Sequence, residues 1–138
     1  SSNVDMDGVK KISRAFQEAK KPLLLVGHGA MISGAGKVLM SFAEKMGVPV
    51  TNTLLGKGCF PETHKLSVGM LGMHGTAYAN KAVVDCDLIM SIGARWDDRI
   101  TGKLDEFCVD AVKIHVDIDP AENCKILTSN TKIQSREK

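Results

Sequence analysis

The residues best suited to chemistry gather in two glycine-rich stretches. Gly69-Met-Leu-Gly-Met-His-Gly75 sets one histidine among glycines and methionines. Gly93-Ala-Arg-Trp-Asp-Asp-Arg-Ile-Thr-Gly-Lys103 brings Arg95, Asp97, Asp98, Arg99 and Lys103 close together. Forked guanidinium donors suit a pyrophosphate or carboxylate, and methionine sulfur packs well on a planar ring. Each stretch follows an apolar run, and the carboxyl end of a parallel strand is where an open α/β sheet meets a phosphate-bearing ligand. Charge runs also form surface ion pairs, and a lone loop histidine also serves as a cap or a solvated residue. The residue types alone therefore leave both roles open. Asp117-Ile-Asp119 ends a third apolar run with carboxylates of the kind that hold ribose or ribityl hydroxyls.

A further glycine pair, Gly27-His-Gly29, sits between an apolar run and a helical pattern, as a dinucleotide fingerprint does. The third glycine falls at Gly34, with Ile32 where the fingerprint expects glycine. The next strand ends in Thr51-Asn52-Thr53 without the ribose-binding acid of NAD domains. A tight strand-to-helix turn explains these glycines as well as phosphate contact does. The chain has no GxSxG elbow, P-loop lysine, HExxH or CxxC, and no carboxylate pair placed as an acid–base team. On its own residues it binds a cofactor and does no chemistry.

Period and punctuation place these stretches on a frame. Val9, Ile12, Phe16 and Ala19 predict one face of a helix that opens at Asp5 or Asp7 and runs to about Lys20. Leu23 to Val26 reads as a strand buried on both faces. A helix from Ser33 or Gly34 is expected to bury Val38, Leu39, Phe42 and Met46 and to stop at Gly47. Strands follow at 48–53, 67–68, 87–92, 112–118 and 131–134. A helix over 76–85 is expected to turn Tyr78, Ala79, Ala82 and Val83 inward, with short helical turns at 104–107 and 119–122. Alternation of this kind predicts a doubly wound, Rossmann-like α/β fold, with a mainly parallel sheet of about six strands and helices on both faces. Residues 1–138 read as a single domain, with 1–4 a linker remnant.

Composition bounds the partners. A net charge of +2 over 138 residues, 25% of them charged, gives no case for nucleic acid or an anionic membrane. No apolar run approaches the ~18 residues of a membrane span. Cys59, Cys86, Cys108 and Cys124 are too far apart for a metal knuckle and read as reduced, mostly buried thiols. The histidines share no helix face, so no metal site is expected.

Leu71-Gly-Met-His-Gly-Thr76, the Gly93–Lys103 stretch and His115-Val-Asp-Ile-Asp-Pro-Ala-Glu122 together resemble the central domain of acetolactate synthase, in its biosynthetic, FAD-containing catalytic large subunit. The resemblance covers about Val9 to Gln134. It implies a parent of three α/β domains, in which thiamine diphosphate and Mg²⁺ serve the condensation of two pyruvates, or of pyruvate with 2-ketobutyrate, in branched-chain amino-acid biosynthesis. The catalytic glutamate and the diphosphate motif belong to the other two domains, so this segment alone is expected to be inactive.

For this domain the resemblance implies FAD in a structural part. Gly27 and Gly29 would meet the nucleotide backbone, and Thr53 and Leu54 would lie along the flavin. Leu71, Gly72, Met73 and His74 would wrap its middle. Gly93, Arg95 and Asp97 would flank the ribityl–phosphate part, and Asp117 and Ile118 the adenosine end. Met73, Asp98 and Arg99 resemble positions at the substrate channel. Implied partners are the other two domains, a second copy of the subunit and a regulatory small subunit. The implied compartment is bacterial cytoplasm, or stroma or matrix in a eukaryote. Two positions depart from the family: Trp96 for the commoner Phe, and Ser135-Arg136 where a Gly-Asp pair is usual. Alternatives are another FAD-bearing thiamine diphosphate carboligase, such as a glyoxylate carboligase, and a free-standing nucleotide-binding module.

Overall fold

An unbroken apolar run makes β1 (Pro22–Val26), and Leu23, Leu24, Leu25 and Val26 are all at most 1% exposed. A strand so apolar must be covered on both faces. The computed structural model describes residues 6–32, 34–53, 56–70, 75–94, 106, 108, 110–119 and 125–134. Around β1 it places α1 (Met6–Glu18), α2 (His28–Ile32), α3 (Gly36–Met46), β2 (Val50–Asn52), β3 (Ser67–Met70), α4 (Ala77–Asp85), β4 (Leu88–Ile92), β5 (Val112–Asp119) and β6 (Lys125–Gln134). The six strands form one sheet in the order β3-β2-β1-β4-β5-β6. The first five run parallel, and β6 returns antiparallel on β5 with a break in register between His115 and Asp117. The order reverses between β1 and β4, which opens the ligand-binding crevice of such sheets at their carboxyl ends.

Successive residues of β1 go to opposite layers, as the pleat requires. Leu24 and Val26 join Phe16 of α1, Leu39 and Ala43 of α3, and Met90, Ile92, Ile114 and Val116 of the neighbouring strands. Leu23 and Leu25 face the other way, onto Val83 of α4 with Cys86, Ile89, Cys108 and Ala111. Phe16 meets Phe42 edge to face at 5.2 Å, fastening α1 to α3. The expected doubly wound α/β architecture is what the structure shows. Among the described residues, no helix is long and apolar enough to cross a membrane.

The helix caps explain the boundaries. Gly47 ends α3 in the left-handed region (φ 67°) and donates its N–H to Ala43, as the stop at that glycine predicts. Thr76 caps α4 by accepting the Ala79 N–H at 3.0 Å. The structure also corrects the expected faces. A separate short helix, α2, precedes α3, and α3 turns Ala35, Leu39 and Ala43 inward at successive turns. Val38, one residue before Leu39, and Met46 therefore face outward, 63% and 42% exposed. On α4 the inward pair is Ala79 and Val83, which leaves Tyr78 79% exposed. The β6 strand starts at Lys125, earlier than the edge strand expected at 131–134, and Asp119 belongs to β5. Of the helical turn expected at 104–107, Glu106 is the one described residue and it is helical; of the turn expected at 119–122, residues 120–122 lie outside the described residues.

At the opposite end of the sheet from the crevice, Asp87 fastens β1 to β4. Its carboxylate accepts the N–H groups of Lys20 at 2.7 Å and Lys21 at 2.8 Å. Its own N–H donates to Lys21 and its carbonyl accepts from Val112. Asp87→Ala removes the carboxylate and leaves two backbone donors to water. It is expected to cost about 2 kcal/mol, measured as a lower urea midpoint with an unchanged slope.

Cys86 and Cys108 lie side by side under α4, both buried. Hydrogen bonding with Cys108, and then burial, push the Cys86 thiol well above the ordinary 9.0. Because only the thiolate attacks an alkylating agent, Cys86 is expected to react no faster than the chain unfolds, even at pH 8. Peptide mapping of a timed alkylation checks this. Rapid labelling of Cys86 in folded protein would contradict the buried placement. The sign of the pH dependence follows: the unfolded chain ionises this thiol first, so stability falls as pH rises past 9.0.

Candidate functional site

The strand registers place the site. Asn52 of β2 pairs with Val26 of β1, Val26 with Ile92 of β4, and Ile92 with Val116 of β5. The next residue along each strand is Thr53, Gly27, Gly93 and Asp117. On the far side Asn52 pairs with Met70 of β3, which Leu71 follows. Segments distant in the chain thus supply one crosswise row at the carboxyl edge, centred on the switch point. Every member of that row is a residue the sequence motifs single out. Ile118 follows Asp117 along β5.

Glycine lets the turns at this edge close on one another. A side chain on Gly27 would sit 2.6 Å from the Ala94 Cα, and one on Gly29 would sit 2.9 Å from the Gly93 carbonyl. Gly93 turns the chain out of β4 at φ 70°, and a Cβ there would collide with the Ala30 nitrogen. The Gly27 N–H donates to Ile92 at 2.9 Å and the Gly29 N–H to Gly93 at 2.8 Å, while the Gly93 N–H donates to Val116 at 3.0 Å. Gly56 closes the third side, since a Cβ on it would strike the Val26 carbonyl. The turns after β1, β2 and β4 are therefore in backbone-to-backbone contact.

Beside them the last two residues of β2 and the one that follows, Thr51, Asn52 and Thr53, are buried and polar. The Thr51 hydroxyl donates to Gly69 at 2.7 Å, and the Asn52 amide donates to the Thr53 carbonyl at 2.8 Å. The Thr53 hydroxyl accepts the Gly56 N–H at 3.2 Å. Polar groups at the end of a buried strand thus hold the turn in shape. Sequence reasoning passed over Gly56 and read Thr51 and Asn52 only for the acid they lack. The signal available for Gly56 was a glycine four residues beyond the end of β2.

Gly69 and Thr76, which flank the stretch carrying His74, are fastened to each other. Gly69, at φ 96°, admits the Thr76 methyl where a Cβ would stand 2.6 Å away. The Thr76 hydroxyl donates to Val68 at 2.6 Å and its N–H to Met70 at 3.0 Å. Residues 70 and 76 are thereby fixed side by side at the same edge. On the far side of β2, the Leu66 N–H donates to His64 Nδ1 at 3.0 Å. That leaves Nε2 to carry the proton toward Glu44 of α3 at 2.8 Å, steadying the approach to β3.

Below the row, Ser91 and His115 face each other across β4 and β5, both 3% exposed, with Oγ and Nδ1 3.0 Å apart. They form a buried polar contact inside the sheet. Leu54, Leu71, Gly72, Met73, His74, Arg95, Asp97, Asp98 and Arg99 lie outside the described residues, as do Trp96, Ser135 and Arg136. The structure brings Gly27, Gly29, Thr53, Gly93, Asp117 and Ile118 to one edge. Among the described residues no group of three His, Cys, Asp or Glu side chains could hold a metal ion.

Residues 9–136 match the family model of the thiamine pyrophosphate enzyme central domain. The chain is 51% identical over 121 residues to the acetolactate synthase large subunit of Porphyra purpurea, covering 88% of this chain and 20% of that protein. It is 58% identical over 107 residues to the acetolactate synthase large subunit of Parasynechococcus marenigrum, covering 78% and 17%. A solved structure of a candidate thiamin diphosphate-dependent enzyme from Mycobacterium smegmatis superposes with a TM-score of 0.55 at 33% identity, over 66% of this chain and 18% of that one. The chain thus spans about a fifth of the length of these relatives. It belongs to the thiamine pyrophosphate enzyme family, as a central domain.

Proposed function

We propose that this chain is the FAD-binding domain of an acetolactate synthase large subunit. The observation that carries the reading is the crosswise row Thr53–Gly27–Gly93–Asp117, with Met70 of β3 beside it. The three motifs that resemble the large subunit come from separate parts of the chain; Gly93, which opens one, and Asp117, inside another, stand at one crevice edge, and Met70, which precedes the third, ends the strand beside them. The donor set suits a dinucleotide. Arg95 supplies a forked donor for phosphate, and Asp117 supplies a carboxylate for ribose hydroxyls.

In the parent polypeptide, thiamine diphosphate with Mg²⁺ supplies the decarboxylation and carbon–carbon bond formation between two 2-keto acids. The residues of this domain have a different part. They hold the flavin, shape one wall of the substrate channel through Met73, Asp98 and Arg99, and present that wall to the other domains. No proton transfer is assigned to them. The other two domains, a second copy of the subunit and a regulatory small subunit are the partners this reading implies.

The complete polypeptide, supplied with thiamine diphosphate, Mg²⁺ and FAD, is expected to convert pyruvate to acetolactate. A product formed from glyoxylate, with pyruvate untouched, would reassign it to a different carboligase. Within this reading Arg95→Ala removes a charge-assisted hydrogen bond to phosphate and is expected to weaken FAD about tenfold or more. Titration of flavin fluorescence checks it, and unchanged affinity would take Arg95 out of the site.

A further inference from the structure

A Gly-x-Gly turn between a strand and a helix ordinarily offers its N–H groups to a phosphate. Here both are already engaged: Gly27 donates to Ile92 and Gly29 to Gly93, at 2.9 and 2.8 Å. The space where their side chains would stand is filled by Ala94 and Gly93. Gly93 is held from its other side as well, since its N–H donates to Val116 of β5. The turns after β1 and β4 therefore form a backbone interlock made wholly of protein atoms. It sets where Ala94, 3% exposed, leaves the sheet.

We propose that Gly29 is a positioning residue. It serves the FAD site, on the functional reading above, by fixing the β4 turn through the Gly93 carbonyl, and the cofactor receives no hydrogen bond from the Gly27 or Gly29 N–H. The interlock needs no atom beyond the chain's own backbone. Alanine at Gly29 would push the two turns apart without needing an unusual φ, because only Gly93 of the pair has a positive one. The floor of the crevice would then shift while the rest of the sheet stayed intact.

Amide exchange on the complete polypeptide, with and without FAD, tests this directly. In flavin-free protein the Gly27 and Gly29 amides are expected to exchange at least about a hundredfold slower than an unstructured chain, and FAD is expected to change them less than about twofold. Gly29→Ala is expected to speed exchange at Gly27 and Gly93 and to weaken FAD about tenfold. That affinity is measured at a temperature where the variant's unfolding curve shows it fully folded, so lost stability alone would leave it unchanged. Amides that exchange freely without FAD and become protected when it binds would overturn the proposal, as would a folded Gly29→Ala variant with unchanged FAD affinity. Protected amides in a wild-type protein that fails to bind FAD would leave the interlock in place but refute Gly29's service to FAD, together with the cofactor reading itself.

Discussion

Gly93→Ala is expected to lower stability by about 2–5 kcal/mol, enough at the upper end to unfold most of a marginal domain at 37 °C. Two costs combine. Alanine in the left-handed region that Gly93 occupies at φ 70° costs about 1–2 kcal/mol. The added methyl also meets the Ala30 nitrogen and the Gly29 carbonyl carbon, which are main-chain atoms and cannot swing aside. Overpacking of that kind typically adds about 1–3 kcal/mol. Gly34 separates the two costs. It has a similar φ of 74° with nothing within 4 Å of the missing side chain, so Gly34→Ala pays the conformational cost alone. Urea unfolding of both variants is expected to place Gly93→Ala well below Gly34→Ala. Equal losses would show that the turns are not in contact.

Leu25→Ala is expected to cost about 2–5 kcal/mol, since the side chain is fully buried between the sheet and α4 and its truncation leaves a cavity there. The same truncation at Val38 or Tyr78 is expected to stay within about 0.5 kcal/mol. Thermal or denaturant unfolding of the three variants decides it, and a loss at Tyr78 comparable with Leu25 would mean that the outer face of α4 is covered in the protein as tested.

That contrast also shows how far sequence reasoning reaches. The apolar run at Leu23–Val26 could be read directly, because a central parallel strand has no solvent face to alternate with. Alternating strands and helices then led to the doubly wound sheet. Helix faces were harder. Leu39 and Val38 are adjacent apolar residues, and choosing between them requires knowing that α2 intervenes and resets the phase of α3. Five residues from His28 to Ile32 are too few for a periodic signal to declare that helix. Tyr78 was misplaced for a related reason: nothing in a nine-residue helix marks which apolar side chains meet the sheet until Thr76 sets the cap. The long β6 was half visible, since Ile126, Leu127 and Ile133 are its only apolar residues and its strand character comes from pairing with β5.

The candidate site was legible as a list but not as a geometry. Glycines after strands pointed to Gly27, Gly29 and Gly93, and strand-end carboxylates to Asp117. What the motifs could not tell was what each glycine is for. Gly29 looked open to a phosphate, whereas its N–H is spent on Gly93 and its open face on the next turn. Such a role depends on a turn more than 60 residues away, which no local pattern records. Gly56 was missed for the same reason, its contact being the Val26 carbonyl.

The central claim is that this carboxyl edge, in the complete polypeptide, holds FAD. Equilibrium titration of flavin-stripped protein, followed by quenching of flavin fluorescence, tests it most directly. The account predicts saturation at one FAD per subunit, with affinity reduced by Arg95→Ala and by Gly29→Ala. Failure of the folded, complete protein to take up FAD at any concentration would contradict it.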